Sequence, residues 1–215
     1  AEHPEWNQRW RGPLRRAIAR LRDDLSDLYR REAGHYFNDP AAARNAYIHV
    51  ILQRTDERIE RFFREQGGEG LGAADRTAAL MLLEMQRNAL LMQTSCGWFF
   101  NELSGLEATK ILQYADRALQ LAAALAPVDL ETPFVETLAE AHSNIPAHGT
   151  GRDVFYRLVR PCRVSMQKVL NHSVIAAAFN GAALQPQTMS CYRVEPLEHR
   201  TQTAGDATVY VGRAR

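Results

Sequence analysis

The residue types best suited to chemistry in this chain of 215 residues gather between Glu84 and Glu107 and centre on Trp98. Leu82, Met85, Ala89, Met92, Cys96, Phe99 and Leu103 recur there at spacings of three and four, an apolar seam along one helix. The opposite side carries Glu84, Arg87, Asn88, Leu91, Ser95, Trp98 and Glu102. An ordinary surface helix would place solvated charges on that side. A tryptophan among small polar groups and charges suits a second contact surface instead. An indole beside Ser95, Asn101 and Glu102 offers an apolar plate ringed by hydrogen-bonding groups. A sugar ring uses that combination: its apolar face stacks on the ring and its hydroxyls take the polar partners. The competing reading makes Trp98 a large core aromatic.

Other chemistry finds less support. The seven histidines form no HxxxH or HExxH pair, so no metal site is expected. His142 and His148 flank one loop, where ordinary surface histidines explain them equally well. GxSxG, phosphate-loop and dinucleotide signatures do not occur, and the glycine-rich run at residues 67–72 has no strand before it. No cofactor is therefore expected. Cys96, Cys162 and Cys191 are odd in number and form no CxxC, which points to buried free thiols in a reducing compartment, the cytoplasm. Cys96 sits on the apolar seam, so it reads as an inert packed thiol and not a nucleophile.

The elements that must position these residues are mainly helical. Trp6 to Ala33 reads as one long helix, with Trp10, Leu14, Leu21, Leu25 and Leu28 as its stripe. Asp39-Pro40 opens a helix to about Gln53, Thr55 caps another over DERIERFFREQ, and Gly67-Gly68 ends it. The central helix is expected from Ala73 to Leu103. Ser104, with Glu107 three residues on, reads as the capping box of a partner helix reaching Ala126. Thr132-Pro133 opens a helix to about Ser143. Thr150 and Asp153 cap the next, which continues to Phe179 with a kink or break at Pro161. From Thr188 the period changes to two, and SCYRVEP and ATVYVGR read as an antiparallel pair separated by a turn-rich segment. The expected fold is thus mainly α: a bundle of six to eight helices over residues 1–185, then a small C-terminal antiparallel β-pair over residues 186–215.

The runs RNALLMQTSCGWFFNELSGLEATKILQYADRALQLA, HPEWNQRWRGPLR, NDPAAARNAYIHVIL and FYRLVRPCRVSMQKVLNHSVIAAAF cover most of the chain. Together they resemble the helical region that follows the catalytic barrel in proteins related to glycoside hydrolase family 57. The resemblance is to a subgroup whose C-terminal part is a domain of unknown function, and SCGWFF is its most specific piece. It implies that Trp98 is a sugar-stacking or cleft-wall residue, with Gln93, Ser95, Asn101 and Glu102 as its polar surround. An aspartate commonly stands in those relatives where this chain has Asn101, which leaves Asn101 a hydrogen-bonding role. The retaining mechanism needs two carboxyl groups about 5 Å apart. In the relatives these come from barrel strands that this chain does not contain. The implied function is a non-catalytic domain that buttresses the barrel of the same polypeptide and contributes part of an α-glucan cleft. The alternative is a helical protein-protein interaction module with no sugar site.

Composition limits the partners. With 46% hydrophobic residues the chain can bury a sizeable core, and its formal net charge of +1 creates no field that would draw it to nucleic acid or membrane. The arginines of the first helix interleave with Asp23, Asp24 and Asp27, so a salt-bridged solvated face explains them better than phosphate contact. No apolar run approaches the roughly 18 to 20 residues of a membrane helix. The absence of an initiator Met and the abrupt end at Arg215 read as a fragment of a longer protein.

Overall fold

The computed structural model describes residues 3–180, 185–189, 192–205 and 207–214. The fold is mainly α with antiparallel β-structure at the C-terminal end, as the periodicity predicts. It divides into two compact units, residues 1–163 and 164–215. The last helix therefore belongs with the strands, earlier in the chain than the change of period at Thr188.

In the first unit, α1 (Arg11–Glu32), α5 (Ala73–Leu91), α6 (Leu106–Leu125) and α7 (Glu131–Leu138) pack on one another. Trp10, Leu14, Leu21, Leu25 and Leu28 are buried against Leu82, Leu83 and Met85 of α5 and Ile111, Leu112 and Ala115 of α6 in one core. The first helix starts at Arg11 and not Trp6, which puts Pro13 in the first turn, where its missing N–H costs nothing. Its charged side is salt-bridged, through Arg16–Glu140, Arg22–Asp23 and Arg30–Asp27.

Short helices cover one end of this core. Asp39 caps α2 (Pro40–Ala46) by accepting the amides of Ala41 and Ala42 at 2.9 and 3.0 Å. The expected continuous helix to Gln53 breaks at Tyr47, and α3 (Ile48–Leu52) follows. Thr55 caps α4 (Asp56–Gln66) by accepting from the Arg58 amide, and Gly67 ends it at φ 90°, a conformation only glycine adopts without strain. Phe62 and Phe63 from α4 and Phe37 pack as an aromatic cluster, with Tyr47 edge-on to Phe62. The Tyr47 hydroxyl donates to Glu84 at 2.7 Å, and Arg54 and Arg87 pair with the same carboxylate.

The central helix is shorter than expected. It ends at Leu91, and the seam residues Cys96 and Phe99 lie exposed on the turn that follows, while Leu103 returns to the core. Cys96 and Cys162 are thus exposed thiols and not buried ones; Cys191 lies outside the described residues. Ser104 does not cap the partner helix. Gly105 takes that place with ψ 160°, and the Ser104 amide and hydroxyl are both held by Glu102.

After α6, α7 stops at Leu138, short of Ser143. The Thr150–Asp153 capping box opens α8 (Gly151–Val154) as expected. The helix then widens into a π-turn over Phe155–Val159 and tightens into a 3-10 turn over Arg160–Cys162, so the break at Pro161 is complete. Arg163 fastens this segment to the core: it reaches the buried Asp116 of α6 at 2.5 Å and Glu131 at 2.8 Å.

In the second unit Ser165 caps α9 (Met166–Phe179), which contacts two of the strands. The strand pairing differs from the expected one. β1 (Gln187–Met189) pairs with β2 (Tyr192–Val194), and β3 (Pro196–Ala204) pairs with β4 (Ala207–Ala214), all antiparallel. ATVYVGR therefore pairs with the segment read as turn-rich, not with SCYRVEP. Arg200, Thr201, Gln202 and Thr203 of β3 are exposed on both faces, so burial imposes no alternation there.

Candidate functional site

The turn between α5 and α6 is built by a few local devices. The Gln93 side chain folds back to donate to the Ala89 carbonyl at 3.1 Å, which closes the last turn of α5. A 3-10 turn over Ser95–Trp98 follows. Gly97 is required there, since a Cβ would sit 2.6 Å from Cγ2 of Ile111. Ser95 is exposed. Trp98 is half-buried against the core, and the Arg15 guanidinium lies 5.2 Å from its ring centroid. A cation already covers the indole, and the core takes another part of its surface.

Phe99 and Phe100 point outward, edge to face at 5.2 Å. Their carbonyls accept from Arg11 of α1, which pins the turn to the bundle. Glu102 is buried and takes four donors: the Ser104 amide at 2.9 Å, the Ser104 hydroxyl at 3.0 Å, the Ser143 hydroxyl at 2.5 Å and the Asn144 amide at 2.8 Å. The Asn144 side chain carries the link onward. It donates to the carbonyls of Asn101 and Asn7 and accepts the Asn7 amide. One carboxylate and one amide thus tie three separate loops together.

This arrangement leaves a groove of about 340 Å³ lined by His3, Trp6, Phe100, Asn101, Glu102, Gly105 and Glu107. The His3 ring stacks on the half-buried Trp6 at 4.2 Å, and Phe100 adds an exposed aromatic. Asn101 uses its side-chain oxygen to accept from Gln8 at 3.0 Å, which leaves its NH₂ group directed elsewhere. No side chain caps the first turn of α6, where Gly105 and Glu107 meet the groove. Aromatic faces, amide donors and a carboxylate acceptor therefore share one concave surface.

A family model for a domain of unknown function, DUF3536, matches residues 6–215. The chain belongs to the DUF3536 family. No curated protein and no solved structure matches it. The match spans both units, so a DUF3536 domain comprises the helical core together with the C-terminal strands.

Of the five residues singled out in the sequence, this DUF3536 domain brings Asn101 and Glu102 to the groove and leaves Gln93, Ser95 and Trp98 outside its lining. Glu102 serves the loops, with both oxygens engaged by protein donors. Trp6 and Phe100 are the aromatics of the groove, and sequence reasoning missed both. Trp6 lay within a stretch read as helix. Phe100 lay beside an apolar seam that made its neighbour Phe99 look inward. Among the described residues no helix is long and apolar enough to cross a membrane.

Proposed function

We propose that this DUF3536 domain is a non-catalytic saccharide-contact module. It accompanies a glycoside hydrolase family 57-type barrel in the same polypeptide, buttresses that barrel and supplies part of an α-glucan cleft. The observation that carries the reading is the groove in which Trp6 and Phe100 flank Asn101 and Glu107. Aromatic faces suit the apolar side of a pyranose, while the Asn101 amide and the Glu107 carboxylate suit its hydroxyls. Glu102 makes no direct sugar contact in this reading; it holds the groove in shape.

Calorimetric titration of the chain with malto-oligosaccharides tests the proposal, with Trp6→Ala and Trp98→Ala in parallel. Saturable binding that Trp6→Ala loses and Trp98→Ala keeps supports it. Binding lost only in Trp98→Ala moves the site to the indole under Arg15. No binding by the wild-type chain removes a self-sufficient sugar site.

A second reading is favoured by one observation: Phe99 and Leu106 are 77% and 78% exposed beside the groove. That apolar surface suits a protein partner, and in this reading the domain is an interaction module without a sugar site. Phe99→Asp would then disrupt docking of the partner and leave sugar titrations unchanged.

A further inference from the structure

A second concavity lies away from the groove, where α3 and α4 meet. It encloses about 220 Å³ and is lined by Ala46, His49, Arg58, Arg61, Phe62 and Glu65. Its floor is rigid, because Phe62 is buried and packs edge-on to Phe37, Tyr47 and Phe63, each within 5.9 Å. Arg58 and Arg61 stand three residues apart on α4 and so share its outer face. His49 approaches from α3.

The bases of this pocket outnumber its acid. Arg61 pairs with Glu65 at 2.7 Å, and both side chains are more than half exposed. Arg58 donates to the neutral Gln53 side chain at 3.0 Å. The Glu65 carboxyl is held below its ordinary range, chiefly by the Arg61 hydrogen bond, which outweighs the opposing desolvation, and then by the charges of Arg61, Arg58 and His49. Three basic side chains thus converge on one exposed carboxylate. A solvated pair of that kind contributes little stability, so Glu65 can yield to a better acceptor.

We propose that this pocket binds a phosphate monoester, with Arg58 and Arg61 as its two forks and His49 as a third donor. Planar guanidinium forks match the oxygens of a phosphoryl group, and three donors on two helices enclose it from different sides. The volume exceeds that of a phosphoryl group alone, so a phosphorylated sugar fits as well as free phosphate. Nothing in this inference depends on the saccharide groove.

The test is a titration of the whole chain with inorganic phosphate at constant ionic strength, followed by NMR at the His49 imidazole and the arginine Nε–Hε groups. Thermal stabilisation is not the readout, because phosphate stabilises many proteins by exclusion from their surface. A parallel titration uses hexose 6-phosphate, and chloride at matched ionic strength is the control. The expected result is a saturable shift of these resonances with both phosphates and none with chloride. Arg58→Gln should weaken it roughly tenfold, and the Arg58→Gln, Arg61→Gln pair should abolish it. Equal affinity for both phosphates supports a site that reads the phosphoryl group alone, and tighter hexose phosphate binding supports one that also touches the sugar. Shifts that do not saturate, shifts that chloride reproduces, or wild-type affinity in the double variant would each overturn the proposal. Both arginines lie on the surface side of α4, so the variants should fold, and an unchanged backbone spectrum checks this.

Discussion

Replacing Glu102 by alanine tests the central claim about the site, that this carboxylate is a knot and not a ligand contact. The side chain is 8% exposed and accepts from four donors on two loops. Two are hydroxyls, and that of Ser143 already has the Ile145 carbonyl as a second acceptor at 3.1 Å. The other two are the amides of Ser104 and Asn144, which cannot turn elsewhere. An orphaned amide costs about 1–3 kcal/mol, with the lower half of that range apt for these partly buried positions. Together with the lost side-chain packing, Glu102→Ala should cost about 3 kcal/mol. For a unit of this size that corresponds to a fall in Tm of roughly 6–12 °C. Glu102→Gln keeps one oxygen and turns an NH₂ group toward a donor, so it should lose about half as much. Thermal unfolding followed by circular dichroism measures both, with Glu107→Ala as the control, expected within about 0.5 kcal/mol of wild type. A fall in Tm below about 2 °C for Glu102→Ala would refute the reasoning. The four hydrogen bonds would then be worth no more than those to water, and Glu102 would be free to meet a ligand.

Three further predictions follow from the packing. Gly97→Ala places a methyl group 2.6–2.9 Å from three atoms of Ile111, and should lower the free energy of unfolding by about 1–3 kcal/mol in a urea titration. Asp116→Ala leaves Arg163 without its main partner, in a pair whose side chains are only 4% and 26% exposed. Arg163 keeps Glu131 at 2.8 Å, so the cost should be about 1–3 kcal/mol, and limited proteolysis should find new cleavage between Phe155 and Arg163. Burial pushes the Glu84 carboxyl up, but hydrogen bonds from Tyr47 and Arg54 and the charge of Arg87 outweigh it and hold the group below its ordinary 4.5. A carboxyl depressed in the folded chain adds stability above the unfolded value and loses it as pH falls through the folded one. Stability should therefore decline below about pH 4.5, and Glu84→Gln should flatten that part of the curve in denaturant titrations.

Three of the caps read in the sequence were legible because they are local, whereas Ser104, read as a fourth, is drawn off by Glu102. Asp39 with Pro40, Thr55 with its downstream amide, and Thr150 with Asp153 each act within a few residues, and each forms as read. Helix length was less legible. The seam through Met92, Cys96, Phe99 and Leu103 keeps helical spacing although the chain leaves the helix at Leu91, because Leu103 re-enters the core after the turn. Spacing cannot separate a helix from a turn whose two ends both pack inward. Gly97 was the available signal, since a glycine in a helix interior costs about 1 kcal/mol relative to alanine and needs a reason. The β3 strand escaped for a different cause: it is polar on both faces, and its order comes from its ladder with β4 and the Gly205 turn at φ 59°.

The groove was illegible because its parts are distant in the chain. Trp6 and Phe100 are brought together by Gln8, Arg11, Asn144 and the core that holds α1 against α5 and α6. No periodicity connects them. Local spacing instead drew the reading to Trp98 and Glu102, which have the types a binding site uses. The fold engages both: the core and Arg15 cover much of the indole, and four donors occupy the carboxylate. A side chain whose partners are supplied by the protein has little left for a ligand. Phe100, the Asn101 amide and Glu107 keep more of theirs, and Trp6 gives one face to the exposed His3 ring. For that reason the same two substitutions that separate knot from ligand contact, Glu102→Ala and Trp6→Ala, should have opposite signatures. Glu102→Ala should lower stability first and affinity only as a consequence, whereas Trp6→Ala should lower affinity at nearly unchanged Tm.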